Sequence, residues 1–179
     1  MNQKGDREKP VMDQNPAERR KNGSRRDMAE GPLSFGIILF LVVLAASFGA
    51  VFRPGPWYEA LNKPAFTPPG WIFSPVWAAL YLMIAVAGWL AWRNAADRKH
   101  PAIVLWASQL ALNALWSWIF FGLENPGLAL LDIVVLLLLI LAFVGCAFPV
   151  SRSASLLFVP YALWVGFAAY LNLGIVLLN

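Results

Sequence analysis

Of the 179 residues, 59% are apolar and only 13% charged, and the mean hydropathy is +0.60. Soluble chains average about 45–50% apolar and about 25% charged, and a soluble domain of this length could not hide so much hydrocarbon, so the composition places the chain in a membrane. The formal charge is +4, but 14 charged residues, 8 basic and 6 acidic, precede Gly31, which leaves the rest of the chain nearly free of ions.

Residues 1–32 form a polar tail with almost no aliphatic or aromatic content. A segment of this kind cannot recover the entropy of its own ordering, and it is expected to be disordered. Its last basic cluster, Arg19, Arg20, Lys21, Arg25 and Arg26, directly precedes the first apolar run. There it can fix topology or touch anionic headgroups. The charged stretch is too long for a secretory leader, and no small-residue cleavage pattern follows a short apolar core, so the first apolar run is expected to remain as a span.

A helix needs about 20 apolar residues to cross about 30 Å of hydrocarbon. Five stretches meet or approach that length: residues 33–52, 75–92, 101–121, 127–148 and 155–178. The second is the weakest, since its proline-bordered start leaves fewer than 20 residues before Arg93. The fold class that follows is an all-α membrane protein, a bundle of five transmembrane helices over residues 33–179. With the amino end on one side, that side collects 12 basic residues (the tail, Arg93, Arg98, Lys99 and Arg152), and the other receives Arg53 and Lys63. Basic residues in short loops favour the cytoplasmic side, so the amino terminus is expected inside, in a bacterial cell membrane.

The first connector is unlike the others. Residues 53–74 read RPGPWYEALNKPAFTPPGWIFS, with six prolines counting Pro75, and carry Trp57, Tyr58, Phe66, Trp71 and Phe73. Proline fixes φ and removes a donor, so a continuous helix is excluded, although WYEALNK allows about two turns. A stiff aromatic lid is expected. An interfacial aromatic belt would account for the rings but not for the proline density.

Within the spans, the third places Gln109, Asn113, Trp116 and Phe120 on one helical face, and the fifth does the same with Tyr161, Trp164, Ala168 and Asn172. In the second span Trp77 and Tyr81 lie four apart. Intramembrane amides must find a partner, either another helix or a ligand. Together these stripes could line a flat apolar pocket under the lid, with Asn113 and the indole N–H of Trp77 or Trp164 as donors, suited to a planar hydrophobic ligand. Asp132 is the one carboxylate inside a predicted span, a candidate for proton coupling that is close enough to the boundary to be hydrated. Ala45 with Gly49, and Ala162 with Gly166, permit close helix contact within the monomer or across a dimer. His100 is the only histidine and Cys146 the only cysteine, and no glycine-rich phosphate loop is present. Metal and hydrolytic chemistry are therefore not expected, nor is a nucleic-acid partner.

WYEALNKPAFTPPGWIFSPVW (residues 57–77), QLALNALWSWIFFG (109–122) and VPYALWVGFAAYLN (159–172) together resemble the tryptophan-rich sensory protein and translocator protein family, TspO/MBR. The likeness covers all five spans and leaves the charged tail unmatched. It implies a five-helix bundle, often dimeric, that binds porphyrins such as protoporphyrin IX, with no obligatory cofactor, as well as sterols and synthetic isoquinoline or benzodiazepine ligands. By motif position, it places the ligand-contacting groups at Tyr58, Pro68, Trp77, Tyr81, Asn113, Trp116, Trp164 and Ala168. It also implicates Trp77 and Trp164 as the indoles of a light-dependent porphyrin breakdown. Two departures stand out: Tyr170 is followed by no Lys or Arg, which removes the family's sterol pattern, and Phe66 stands where many members have tryptophan. Three functions fit these residues: porphyrin binding in tetrapyrrole handling or stress response, a photochemical porphyrin-degrading enzyme, and a transporter coupled through Asp132.

Overall fold

The computed structural model describes the backbone of residues 16–97 and 99–179, and the side chains of residues 31–97 and 99–179. The chain forms two units, residues 1–33 and Ser34–Asn179, and the bundle below belongs to the second. Among the described residues six α-helices follow in order: α1 (Pro16–Val51), α2 (Pro56–Ala60), α3 (Phe73–Asn94), α4 (Pro101–Ser117), α5 (Pro126–Ala147) and α6 (Arg152–Leu178). Five of them are long and apolar enough to cross a membrane, namely α1 from Gly31, α3 with its preceding turn, α4, α5 and α6.

Where the boundaries move, local chemistry explains it. The second span reaches from Gly70 to Asn94, 25 residues, because a 3₁₀ turn at Gly70–Ile72 leads directly into α3. Pro75 falls in the first turn of α3, where no intrahelical N–H is required, so it ends nothing. The fifth span starts at Arg152 rather than at Ser155, because the Ser151 side chain accepts from the Ala154 N–H at 3.3 Å and caps the helix. His100 and Asn125 do the same for α4 and α5, each followed by proline at the first helical position. Residues 1–15 of the expected disordered tail lie outside the described residues, as do the side chains of its basic cluster. Residues 16–32 continue α1 backward, since extending an existing helix avoids the cost of nucleating one.

The tightest packing joins α5 to α6 and α4 to α5, with α3 against α6. The inner face of α5 carries Ala129, Ile133, Leu136, Ile140, Phe143 and Ala147 at steps of four and three. Phe143 meets Phe158 of α6 with ring centroids 4.0 Å apart, and the Ser155 hydroxyl donates to the Val144 carbonyl at 2.7 Å. In α3 the fully buried residues are Ile84 and the small Ala85, Ala87 and Ala91, and the alanines let backbones approach where no hydrophobic effect drives helices together. Leu131, Leu138, Leu163 and Leu177 point outward, as lipid-facing side chains should. The helix α1 is the least buried of the five spans, and only Ile38 and Val42 among its described side chains are buried. The two small-residue pairs separate here. A Cβ on Gly49 would stand 3.3 Å from the Ser117 hydroxyl of α4, whereas one on Gly166 would meet nothing within 4 Å. Gly49 thus serves contact inside the monomer.

Candidate functional site: an aromatic and amide cluster beneath a proline-rich lid

The lid follows α6 along its length. At the carboxyl end, Asn62 N–H donates to Asn179 Oδ1 at 2.9 Å and Asn179 Nδ2 donates back to the Asn62 carbonyl at 3.1 Å. Pro64 then presses on Gly174, where a Cβ would approach it to 2.5 Å, and Tyr170 Oη donates to the Ala65 carbonyl at 3.2 Å. Phe73 closes the run against Trp164, with centroids 5.7 Å apart. These contacts also explain why α2 stops at Ala60 rather than making two turns. The Asn62 N–H bonds to Asn179 instead of continuing the helix, and Lys63 precedes a proline, which disfavours helical backbone. Phe66 turns the chain with φ 65° and is 86% exposed, and Trp71 is exposed as well.

The front of the lid rests on the end of α4, which changes to a π-helical turn over Trp118–Gly122. Such a turn inserts an extra residue and reorients side chains, often at functional sites. It sets Phe120 and Phe121 under α2, where Tyr58 meets them at 6.1 and 5.5 Å and Trp57 meets Phe120 at 5.8 Å. Burial pushes the Tyr58 hydroxyl above its ordinary pKa.

Inside the bundle the polar groups form one hydrogen-bonded chain. Tyr81 Oη of α3 donates to Asn113 Oδ1 of α4 at 2.8 Å, and Asn113 Nδ2 donates to Tyr161 Oη of α6 at 3.1 Å. Tyr161 Oη then donates to Gln109 Oε1 at 2.9 Å, and Gln109 Nε2 to the Trp106 carbonyl at 2.9 Å. Gln109, Asn113 and Tyr161 are buried. The amides read from the third span therefore find their partners on neighbouring helices, with both ends of the Asn113 amide engaged, so a ligand must share Asn113 rather than occupy it. A second link runs from Trp116 Nε1 to Asn172 Oδ1 at 3.2 Å and from Asn172 Nδ2 to the Pro126 carbonyl at 2.8 Å.

Rings cover this chain. Trp77 lies 5.2 Å from Tyr81 and 6.3 Å from Tyr161, and Trp116 stacks on Phe120 at 4.9 Å. Trp116 packs against both hydrophobic clusters of the bundle and so joins the Tyr58 side of the site to the Asn113 side. Trp77, Tyr81 and Asn113 are thus contiguous, Trp116 and Ala168 pack against the same core, and Tyr58 reaches Trp116 through Phe120. Trp164 meets Phe73 and Phe167, and Trp77 meets Tyr81 and Tyr161, so the two indoles implicated in photochemistry have different ring partners. The half-buried Pro68 stays in the lid, and among the described residues no polar or ring contact ties it to the rest. Two buried polar atoms have no hydrogen-bond partner among the described residues: the indole Nε1 of Trp164 and Oδ2 of Asp132. Gln109, Tyr161 and Asn172 belong to the site although the motif positions did not single them out. Their helical spacing with Asn113, Trp164 and Ala168 was the available signal.

A five-span, all-helical bundle whose interior holds an aromatic and amide cluster under a strapped lid defines an integral, multi-pass membrane protein. The sequence profile of the TspO/MBR family matches residues 37–178, and the chain belongs to that family. It is similar to "Tryptophan-rich protein TspO" of Archaeoglobus fulgidus, 40% identical over 143 residues, covering 78% of this chain and 93% of the relative. It is also similar to "Protein CrtK" of Rhodobacter capsulatus, 35% identical over 149 residues with 81% and 92% covered. "Translocator protein" of Sus scrofa is 37% identical over 119 residues, with 65% and 70% covered.

Proposed function

We propose that the chain binds a planar tetrapyrrole of the protoporphyrin IX type between the lid, α3, α4 and α6. The observation that carries this reading is the Trp164 indole, whose buried N–H has no partner and whose ring lies against Phe73, where the lid joins α3. A native structure leaves few such donors unsatisfied, and one left unpartnered among the described residues beside the lid suits the carbonyl or carboxylate of a bound molecule. Trp77, Tyr81, Trp116 and Tyr58 supply flat apolar surface, and the engaged Asn113 amide fixes the cluster they form. No obligatory cofactor is required, and the 12 basic residues on the tail side favour an amino terminus in the cytoplasm.

Titrating protoporphyrin IX while following tryptophan quenching tests the reading. Affinity should fall in Trp77→Phe, Asn113→Ala and Trp164→Phe, and unchanged affinity in all three removes the site. The unpartnered carboxylate oxygen of Asp132 favours a second reading, transport coupled through that residue. It requires uptake into proteoliposomes that falls in Asp132→Asn. Photochemical breakdown requires bleaching that depends on light and oxygen and disappears when Trp77 and Trp164 are replaced.

A further inference from the structure

The bundle has a recess at the end opposite the lid. A cavity of about 250 Å³ lies between the 34–41 stretch of α1, the end of α3 and the start of α4, and Ile37, Leu41, Gly88, Trp92, Trp106 and Ala107 are among its walls. Apart from Ser34, every lining residue is apolar or aromatic. Its floor is Trp106, whose buried indole N–H donates to the Ile84 carbonyl at 2.9 Å. That donor is spent on main chain. Gly88 makes the arrangement possible, because a Cβ there would stand 2.4 Å from the indole. The floor therefore offers an occupant a flat hydrocarbon surface.

Three features identify the occupant. First, α1 is the least buried span and Ile37 is 54% exposed, so the recess opens sideways into lipid. Second, its length along α1, from Ser34 to Leu41, is about 10 Å at about 1.5 Å per residue, within the roughly 15 Å hydrocarbon depth of one leaflet. Pockets for drug-sized ligands run about 300–1,000 Å³, so a tetrapyrrole is too large for it, whereas one extended chain suits it. Third, cations stand in the chain just beyond the lining residues at this end of α3 and α4. Arg93 follows the lining Trp92 and lies 4.8 Å over the Trp89 ring, which itself meets Phe35 at 5.6 Å, and Lys99 is exposed in the next connector. Among the described residues of the 93–100 connector, Asp97 is the one acid against these cations.

We propose that this recess holds one acyl chain of an anionic phospholipid from the adjacent leaflet, with Arg93 and Lys99 facing the headgroup. Hydrocarbon fills the walls, and the cations at the rim select the charge. The site is separate from the aromatic cluster, so it stands or falls independently of porphyrin binding.

Native mass spectrometry of the full chain in mild detergent, with phosphatidylglycerol and phosphatidylcholine of equal chains as probes, tests this. One phosphatidylglycerol should be retained in preference to phosphatidylcholine. The preference should shrink about fivefold for each cation removed in Arg93→Gln and Lys99→Gln. Ala107→Phe, which fills the recess from an exposed position, should abolish retention while protoporphyrin quenching stays unchanged. Equal retention of both lipids, or retention in Ala107→Phe, overturns the proposal. So does a dimer without lipid that Ala107→Phe dissociates, which would make a second copy the occupant. Should Ala107→Phe not fold, brominated lipids decide. Phosphatidylglycerol must then quench tryptophan more than phosphatidylcholine does, with the excess reduced in Trp92→Phe, since Trp106 remains in the floor, and equal quenching overturns it.

Discussion

Tyr161→Phe isolates the polar chain that organises the site. The substitution keeps the ring and its contacts with Trp77 and Phe158, and removes one oxygen from a fully buried position. That oxygen accepts from Asn113 at 3.1 Å and donates to Gln109 at 2.9 Å, so two bonds disappear and two buried amide atoms lose a partner. A neutral hydrogen bond is worth about 1 kcal/mol net, and each orphaned buried group costs about 1–3 kcal/mol. Interhelical bonds in membranes average nearer about 0.6 kcal/mol, because the unfolded chain in lipid also finds partners. The expected loss is therefore about 2–4 kcal/mol in Tyr161→Phe, against about 1–2 kcal/mol in Tyr81→Phe, which gives up one bond of 2.8 Å and leaves one amide atom, Asn113 Oδ1, without its partner. Reversible denaturation in mixed detergent measures both. Porphyrin affinity should fall in parallel, because Asn113 loses the partner that holds its amide. A Tyr161→Phe stability within about 0.5 kcal/mol of the unaltered chain, or a larger loss in Tyr81→Phe, would refute the claim that this chain is a mutually dependent network.

Other substitutions test neighbouring parts. Trp164→Phe should leave stability within about 0.5 kcal/mol, since its N–H has no partner to lose, yet weaken porphyrin binding by about 2–10-fold, the worth of one hydrogen bond, as read by quenching titration. Gly174→Ala forces a methyl group to 2.5 Å from Pro64, so the lid should lift from α6, with faster proteolysis near Pro64 and faster porphyrin dissociation. Gly88→Ala drives a methyl into the Trp106 indole at 2.4 Å and should cost about 1–3 kcal/mol by overpacking. Gly166→Ala, facing open space, should be neutral in the same detergent denaturation.

Much of the architecture was legible in residue order alone. In a membrane every backbone polar group must be satisfied locally, so length and hydropathy fix the helices, and all five spans appear within a few residues of where counting places them. Helical spacing likewise put Gln109, Asn113 and Trp116 on one face, and Tyr161, Trp164 and Asn172 on another. Partnership was not legible. An intramembrane amide can bond to a helix or to a ligand with the same sequence around it, and only the packing of α3, α4 and α6 commits Asn113 to Tyr81 and Tyr161 while leaving the Trp164 N–H unmatched. The course of the lid was equally hidden. Its prolines exclude a helix, but the contacts that lay it along α6, from Asn179 through Gly174 and Tyr170 to Trp164, join residues about 90 to 117 positions apart. Composition and period are local properties and survive in the sequence as it stands. Which donor meets which acceptor depends on side chains brought together from distant segments, and that pairing exists only once the bundle has closed.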